Sequence, residues 1–245
     1  MIGRGVCLLL ALAASGCASH GGGSERSDVI RRILPSAVQL RTEREGGARR
    51  AASGVVLAAD SQSKSKRCWI LTTRHFLDPS VPQEIFVSTP TRKGRVKAVV
   101  TAVSQEMDLA VIEIEGISLP PVTLKEVVRL GDEVWVAAFP WGRQLTVVSG
   151  VVSQLKYDEG ELAVEGTIRM VDASVSYGAS GGGVFDADTG ALVGIVEGYR
   201  TAQMSAPDRS DRVLQLPVAG ETIVIPARAI LDFLIASGLG HLVPR

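Results

Sequence analysis

Tyr177-Gly178-Ala179-Ser180-Gly181-Gly182-Gly183 is the stretch on which the reading of this chain turns. A serine set between glycines fits a tight turn whose backbone N–H groups point at a ligand instead of into a ladder. That geometry suits a serine nucleophile beside an oxyanion hole, although such a run also serves as a plain glycine-rich turn. Histidine scarcity narrows the choice. The chain has 3 histidines, His20, His75 and His241, and the first and last fall in its tails. If an imidazole activates Ser180, His75 is the candidate.

His75 ends Cys68-Trp69-Ile70-Leu71-Thr72-Thr73-Arg74-His75, a short apolar run breaking into polar residues. A strand followed by a turn would expose the ring at a barrel rim. Asp108 directly precedes Leu109-Ala110-Val111-Ile112-Glu113-Ile114, so its carboxylate can be held at the mouth of a buried strand. Taken singly, these would be a surface histidine and a turn-forming aspartate. Their order with Ser180, His then Asp then Ser, is the chymotrypsin order and not that of subtilisins or α/β-hydrolases.

Together the three segments resemble the trypsin-like serine peptidases of the bacterial HtrA (Deg) type. Thr72-Thr73-Arg74-His75-Phe76 is similar to that family's Thr-Asn-x-His-Val segment, and Met107-Asp108-Leu109-Ala110-Val111 to its Asp-Leu-Ala motif. Asp172 to Gly182 follows, without a gap, the stretch running from Asp-Ala to Gly-Asn-Ser-Gly-Gly. Weaker similarity runs through Phe139-Pro140-Trp141-Gly142 and Val148 to Ser153 and ends at Ile225-Pro226 and the helix beyond. About residues 28–239 are covered. Ala179 replaces the usual Asn or Asp, Tyr177 a usual Pro, and Gly183 another Pro; no catalytic side chain is lost, but Tyr177 and Ala179 could reshape the cleft.

The resemblance implies an all-β fold of two six-stranded antiparallel β-barrels, with a short N-terminal and a C-terminal helix. Composition agrees. The 245 residues include 26 glycines and 11 prolines, with many short Val/Ile/Leu runs between turn signals. Charges balance at 26 basic and 26 acidic residues, which leaves no electrostatic footprint for nucleic acid. Arg49-Arg50 and Lys64/Lys66/Arg67 read as solvated hairpin tips. We expect a helix of one or two turns at Asp28–Leu34, a first barrel over about 36–120, a second over about 126–226 and a last helix over about 226–238, all within a peptidase domain at 28–240. Ile230, Leu231, Leu234 and Ile235 form that helix's apolar stripe. Arg200–Thr222 reads as a long loop beside the cleft.

Before the domain, Met1-Ile2-Gly3-Arg4 and the apolar stretch Val6 to Ala14 read as a signal peptide over 1–16, too short to span a bilayer. Ala14-Ser15-Gly16-Cys17 resembles a bacterial lipobox, which would make Cys17 a lipidated N-terminus on a flexible tether at 17–27. An ordinary secretory signal is the other reading. Ala18 in place of Asp favours, by resemblance, an outer-membrane lipoprotein facing the periplasm. Of 3 cysteines, Cys7 leaves with the signal and Cys17 carries lipid, so Cys68 alone stays in the body and reads as a small buried hydrophobe. We expect no metal and no cofactor.

The chemistry follows from acid–base matching. A serine hydroxyl is too weak an acid to attack an amide unaided; His75 would take its proton and later protonate the leaving amine. Asp108 would fix the imidazole tautomer, and the Gly178 and Ser180 N–H groups would stabilise the oxyanion. In the family alignment Ser174 and Val175 fall on the wall of the substrate pocket, which implies a small or medium apolar residue before the cleaved bond. Partners would be protein or peptide substrates. Few residues follow Gly240, so no PDZ domain is expected; Ala18–Leu34 lacks aromatic residues, so a monomer is expected. Two other classes remain: a silent pseudo-peptidase that holds extended chains by strand addition, and a serine esterase on another fold, which would need a histidine after the serine where only His241 stands.

If Cys17 is lipidated, Cys17→Ser converts a membrane-associated protein into a soluble form or a retained precursor. Intact-mass analysis of the mature N-terminus checks this, and an unmodified N-terminus at another residue would refute it.

Overall fold

Val55-Val56-Leu57, Trp69-Ile70-Leu71 and Ala110-Val111-Ile112 are apolar without alternation because these strands are buried on both faces. Side chains of successive strand residues point to opposite sides. Val56, Ile70 and Ile112 therefore fill the inside of one barrel, while Val55, Leu57, Leu71 and Val111 pack into a second cluster that also holds Phe139, Phe185 and Ile195 from the other half of the chain. The computed structural model that shows this describes residues 22–44, 49–62, 65–78, 83–156, 163–206 and 209–243.

The first barrel comprises β1 (Ala37–Arg44), β2 (Arg49–Asp60), β3 (Arg67–Thr72), β4 (Gln83–Thr89), β5 (Arg92–Val103) and β6 (Ala110–Glu115). It closes in the order β1-β2-β3-β6-β5-β4, with every pair antiparallel. The second half begins with the two-residue strand β7 (Val128–Arg129). It continues with β8 (Glu133–Ala138), β9 (Thr146–Lys156), β10 (Glu165–Asp172), β11 (Gly183–Asp186), β12 (Leu192–Ala206) and β13 (Arg209–Pro226). Its order is β13-β12-β11-β8-β9-β10, closed by Met170↔Ile223 and Val171↔Thr222, with β7 added on β10. The two barrels thus share one strand permutation, a repeat with no trace in the sequence. Closure pairs every barrel strand on both sides, and edges stay open only where a strand outruns its neighbour, as β12 does beyond Val196.

Two helices flank the barrels. α1 (Gly22–Ile33) begins well before the expected Asp28, so residues 22–27, read from sequence as tether, are helical. Asp28, inside the helix, pairs with Arg31 one turn on, at 2.9 Å. Cys17 and the signal segment lie outside the described residues. α2 (Ala227–Ala236) follows Pro226 and ends at Gly238, whose φ of +72° suits a helix stop. Its buried face is Ala227, Ile230, Phe233 and Leu234; Ile235, expected in the stripe, is exposed. Cys68 is buried, as expected, with its thiol on the Ile117 carbonyl at 3.3 Å.

The largest departure is Arg200–Thr222. It is not a loop but most of a long β12–β13 hairpin, paired from Gly194↔Pro226 out to Ala206↔Arg209. Neighbours on either side stop early: β11 pairs with β12 only as far as Ile195, and β10 meets β13 only at Thr222 and Ile223. The outer hairpin is therefore a two-stranded ribbon. Arg200, Thr201, Ala202, Gln203 and Leu216 of the ribbon are exposed, so it shows no alternating apolar face and its sequence reads as loop.

Phe185 is fully buried between the barrels. Phe185→Ala should cost about 3–5 kcal/mol in urea unfolding. Ile235→Ala, on the exposed side of α2, should shift stability by less than about 0.5 kcal/mol.

Candidate active site

His75 sits two residues beyond the buried Thr73, in a 3-10 turn over Arg74–Leu77. Phe76 and Leu77 of that turn are buried in the first barrel, which anchors the turn and leaves the ring half exposed. Arg74 reaches to the Ser104 and Gln105 carbonyls at 3.0 and 3.1 Å, tying the turn to the loop that carries Asp108. Arg50 donates from the other side to the His75 and Asp78 carbonyls.

The Asp108 loop is closed on itself. Ser104 Oγ accepts from the Glu106 and Met107 N–H groups, and the Ser104 N–H donates to the Leu109 carbonyl at 2.9 Å. Asp108 then makes two bonds to one residue: Oδ1 accepts the His75 backbone N–H at 2.7 Å and Oδ2 lies 2.6 Å from the ring Nδ1. That pair of contacts fixes both ring position and tilt. With Nδ1–H donating to the carboxylate, the lone pair of the neutral ring is on Nε2. Burial alone would raise the Asp108 carboxyl. The hydrogen bonds from the His75 ring and backbone, with the charges of His75 and Arg74, outweigh it and hold the group below the usual carboxylate range.

Ser180 comes from the second barrel. Its loop is held by a residue of the first that sequence reasoning passed over, the buried Ser53 on β2. The Ser53 N–H donates to the Ser180 carbonyl at 2.9 Å, and its hydroxyl donates to the Gly178 carbonyl at 2.8 Å while accepting the Phe139 N–H at 2.8 Å. The Ser53 carbonyl in turn accepts the Thr72 hydroxyl at 2.9 Å. At Gly181, with φ of +82°, a Cβ would stand 2.1 Å from the Ser53 carbonyl, so this approach requires glycine.

Gly178 has φ of +88°, and a Cβ there would meet the Trp141 nitrogen at 2.8 Å. The Tyr177 carbonyl accepts the Trp141 N–H at 2.7 Å. A peptide bond is planar and trans, so the Gly178 N–H points the opposite way, away from Trp141. Among the described residues neither the Gly178 nor the Ser180 N–H donates to another protein group. Trp141 holds its bond from a left-handed backbone, φ of +56°, and stacks on Tyr177 with ring centroids 5.4 Å apart. Such a conformation costs a non-glycine residue roughly 1–2 kcal/mol, so the turn is held against its own preference. Arg41 and Gln39 of β1 supply that hold, donating to the Gly142 and Arg143 carbonyls at 2.6 and 2.7 Å.

His75, Gly178 and Ser180 line one open cleft of about 280 Å³, with Arg50, Tyr177, Glu197 and Tyr199. Asp108 stands behind the ring. Among the described residues no hydrogen bond joins the Ser180 hydroxyl to His75, a contact that in such sites commonly tightens only when substrate binds. Ser174 is exposed and Val175 packs on the second-barrel core; neither is among the residues lining this cleft. Arg50, read from sequence as a solvated hairpin tip, Glu197 and Tyr199 are cleft residues with no functional signal in the sequence. Among the described residues no cluster of His, Cys, Asp and Glu could hold a metal ion.

Residues 52–195, more than half of the chain, match the sequence profile of the trypsin-like peptidase domain. Serine protease HTRA4 of Mus musculus is 29% identical over 199 residues, 76% of this chain and 39% of that protein. Serine protease PepD of Mycobacterium tuberculosis is 28% identical over 225 residues, 86% of this chain and 46% of that protein. The chain thus spans less than half the length of these relatives. Among solved structures, the HtrA-type protease AlgW with a tripeptide superposes with a TM-score of 0.64 at 24% identity, over 88% of this chain and 64% of that one.

The depressed Asp108 carboxyl has a pH signature. It contributes stability above the unfolded value, about pH 3.9, and loses it as pH falls through the lower folded value. The stability gap between wild type and Asp108→Asn should be full above about pH 5 and close below about pH 3.9. Denaturant unfolding across pH 2–8 measures it, and a gap that widens in acid would contradict the assignment.

Proposed function

Because the chain belongs to the family of trypsin-like peptidase domains, we propose that it is a serine endopeptidase of the HtrA type acting through His75, Asp108 and Ser180. The observation that carries this reading is the double hydrogen bond from His75 to Asp108 beside a serine on the same cleft. A ring held through Nδ1 offers Nε2 as base. On substrate binding it takes the Ser180 proton as Oγ attacks the scissile carbonyl. The oxyanion then meets the Gly178 and Ser180 N–H groups, each worth about 3–4 kcal/mol of barrier in such sites. The imidazolium protonates the leaving amine, and water, activated by the same ring, releases the acyl group.

Substrates in this reading are extended protein or peptide segments. β11 leaves β12 after Ile195 and Val196, so residues 197–199 present a strand edge to the cleft against which a peptide backbone can pair. Relatives include proteins named as probable periplasmic serine endoproteases, DegP-like, among them one from Pseudomonas fluorescens. With the lipobox-like Ala14–Cys17, this supports a cell-envelope location. The proposal further has Cys17 lipid-anchored in the outer membrane facing the periplasm, and the domain working as a monomer. That no hydrogen bond joins the Ser180 hydroxyl to His75 among the described residues is the feature that favours the silent peptide-binding alternative.

A fluorophosphonate probe separates the two. Wild type should be labelled at Ser180, Ser180→Ala not at all, and His75→Ala slower by at least about a thousandfold. Casein should be cut by wild type and spared by Ser180→Ala. Folded wild type that neither labels nor cleaves across pH 6–9 would favour the binding-only reading.

A further inference from the structure

Glu197 lines the cleft with His75 and Ser180, yet the chemistry above does not use it. Its placement is built into β12. That strand pairs with β13 at Val196↔Val224 and then at Gly198↔Ile223, so Glu197 is an extra residue on β12, left over in a bulge. A bulge interrupts strand alternation and re-aims a side chain. Val196 before it is buried in the second-barrel core, whereas Glu197 stands half buried at the cleft. Gly198 beside it opens onto free space, since a Cβ there would meet nothing within 4 Å.

The charges around it are unbalanced. Glu197 interacts electrostatically with Asp108, a like charge, and with His75. Arg50 also lines this cleft, and its Nη1 is turned to the His75 and Asp78 carbonyls. Among the described residues Glu197 has no ion-pair partner. Burial first, and Asp108 second, push its carboxyl above the usual range, with His75 acting in the other direction. A partly desolvated carboxylate beside a second carboxylate is costly to keep ionised. A cation arriving with the substrate would remove that cost.

We propose that Glu197 is a specificity-determining residue that recognises a Lys or Arg side chain at the second residue before the cleaved bond. The position follows from strand geometry and rests on the peptidase reading above. Neighbouring side chains of an extended peptide point to opposite faces. If the residue before the cleaved bond turns toward the Tyr177–Gly178 wall of the cleft, the one before it turns toward the wall of His75 and Glu197.

The test uses binding and cleavage side by side. Two fluorescent peptides differ only in Lys or norleucine at that position, and their affinity for the Ser180→Ala protein is measured by anisotropy at pH 8. The Lys peptide should bind about tenfold more tightly, as one charge-assisted pair predicts. Glu197→Gln and Glu197→Thr, each checked for native melting, should bring the two peptides within about twofold. Equal affinities with Glu197 present, a preference that survives both variants, or binding of neither peptide overturns the proposal. Cleavage by the protein with Ser180 intact is scored separately. A Lys preference in binding without cleavage of either peptide would leave Glu197's role standing and refute the peptidase reading.

Discussion

Ser53 is the constraint on which the rest of the site depends. Its N–H, its hydroxyl and its carbonyl are all committed, and two of the three reach the Gly178–Ser180 loop of the other barrel. Leaving any of these buried groups unmatched costs about 1–3 kcal/mol. The loop therefore cannot drift without breaking several bonds together. Its glycines follow from the same closeness: Gly181 lies where the first barrel leaves no room for a side chain. The serine loop is thus shaped by a strand more than a hundred residues upstream as much as by its own sequence.

The Trp141 turn adds a second brace from the same side. β1 holds the Gly142 and Arg143 carbonyls, the turn presents the Trp141 N–H, and that N–H fixes the Tyr177 carbonyl. Both braces start on the first barrel and end on the peptide groups flanking Gly178. The geometry of the proposed oxyanion donors is therefore a property of how the two barrels are packed. The interface cluster around Leu57, Leu71, Phe139 and Phe185 supplies the rigidity.

The parts of this arrangement visible in the sequence are those whose chemistry demands a residue type. Ser180 between glycines, a lone mid-chain histidine and an aspartate before a buried strand announce themselves, and the apolar runs announce the strands. Ser53 does not, because Ala51-Ala52-Ser53-Gly54 looks like any stretch of small residues until a second barrel is laid against it. Glu197 does not either, because a bulge is a mismatch between two strands and neither strand records it alone. The β12–β13 ribbon reads as loop for want of a buried face. The start of α1 at Gly22 runs through Gly22-Gly23-Ser24, weak helix formers whose sequence says tether.

The distribution of the site over two barrels also orders its assembly in time. The Asp108–His75 contact closes a separation of 33 residues, whereas Ser53 to Gly178 closes 125. On loop-closure entropy alone the second costs about 1 kcal/mol more, and it also waits for the later-synthesised half of the chain. The His75–Asp108 contact can thus form while the Ser180 loop is still unbraced. In the proposed peptidase, a chain still being made would carry no competent serine, and hydrolysis would begin only when the last long-range contact locks. In that reading biosynthetic order acts as the safety catch that a cleavable propeptide provides elsewhere.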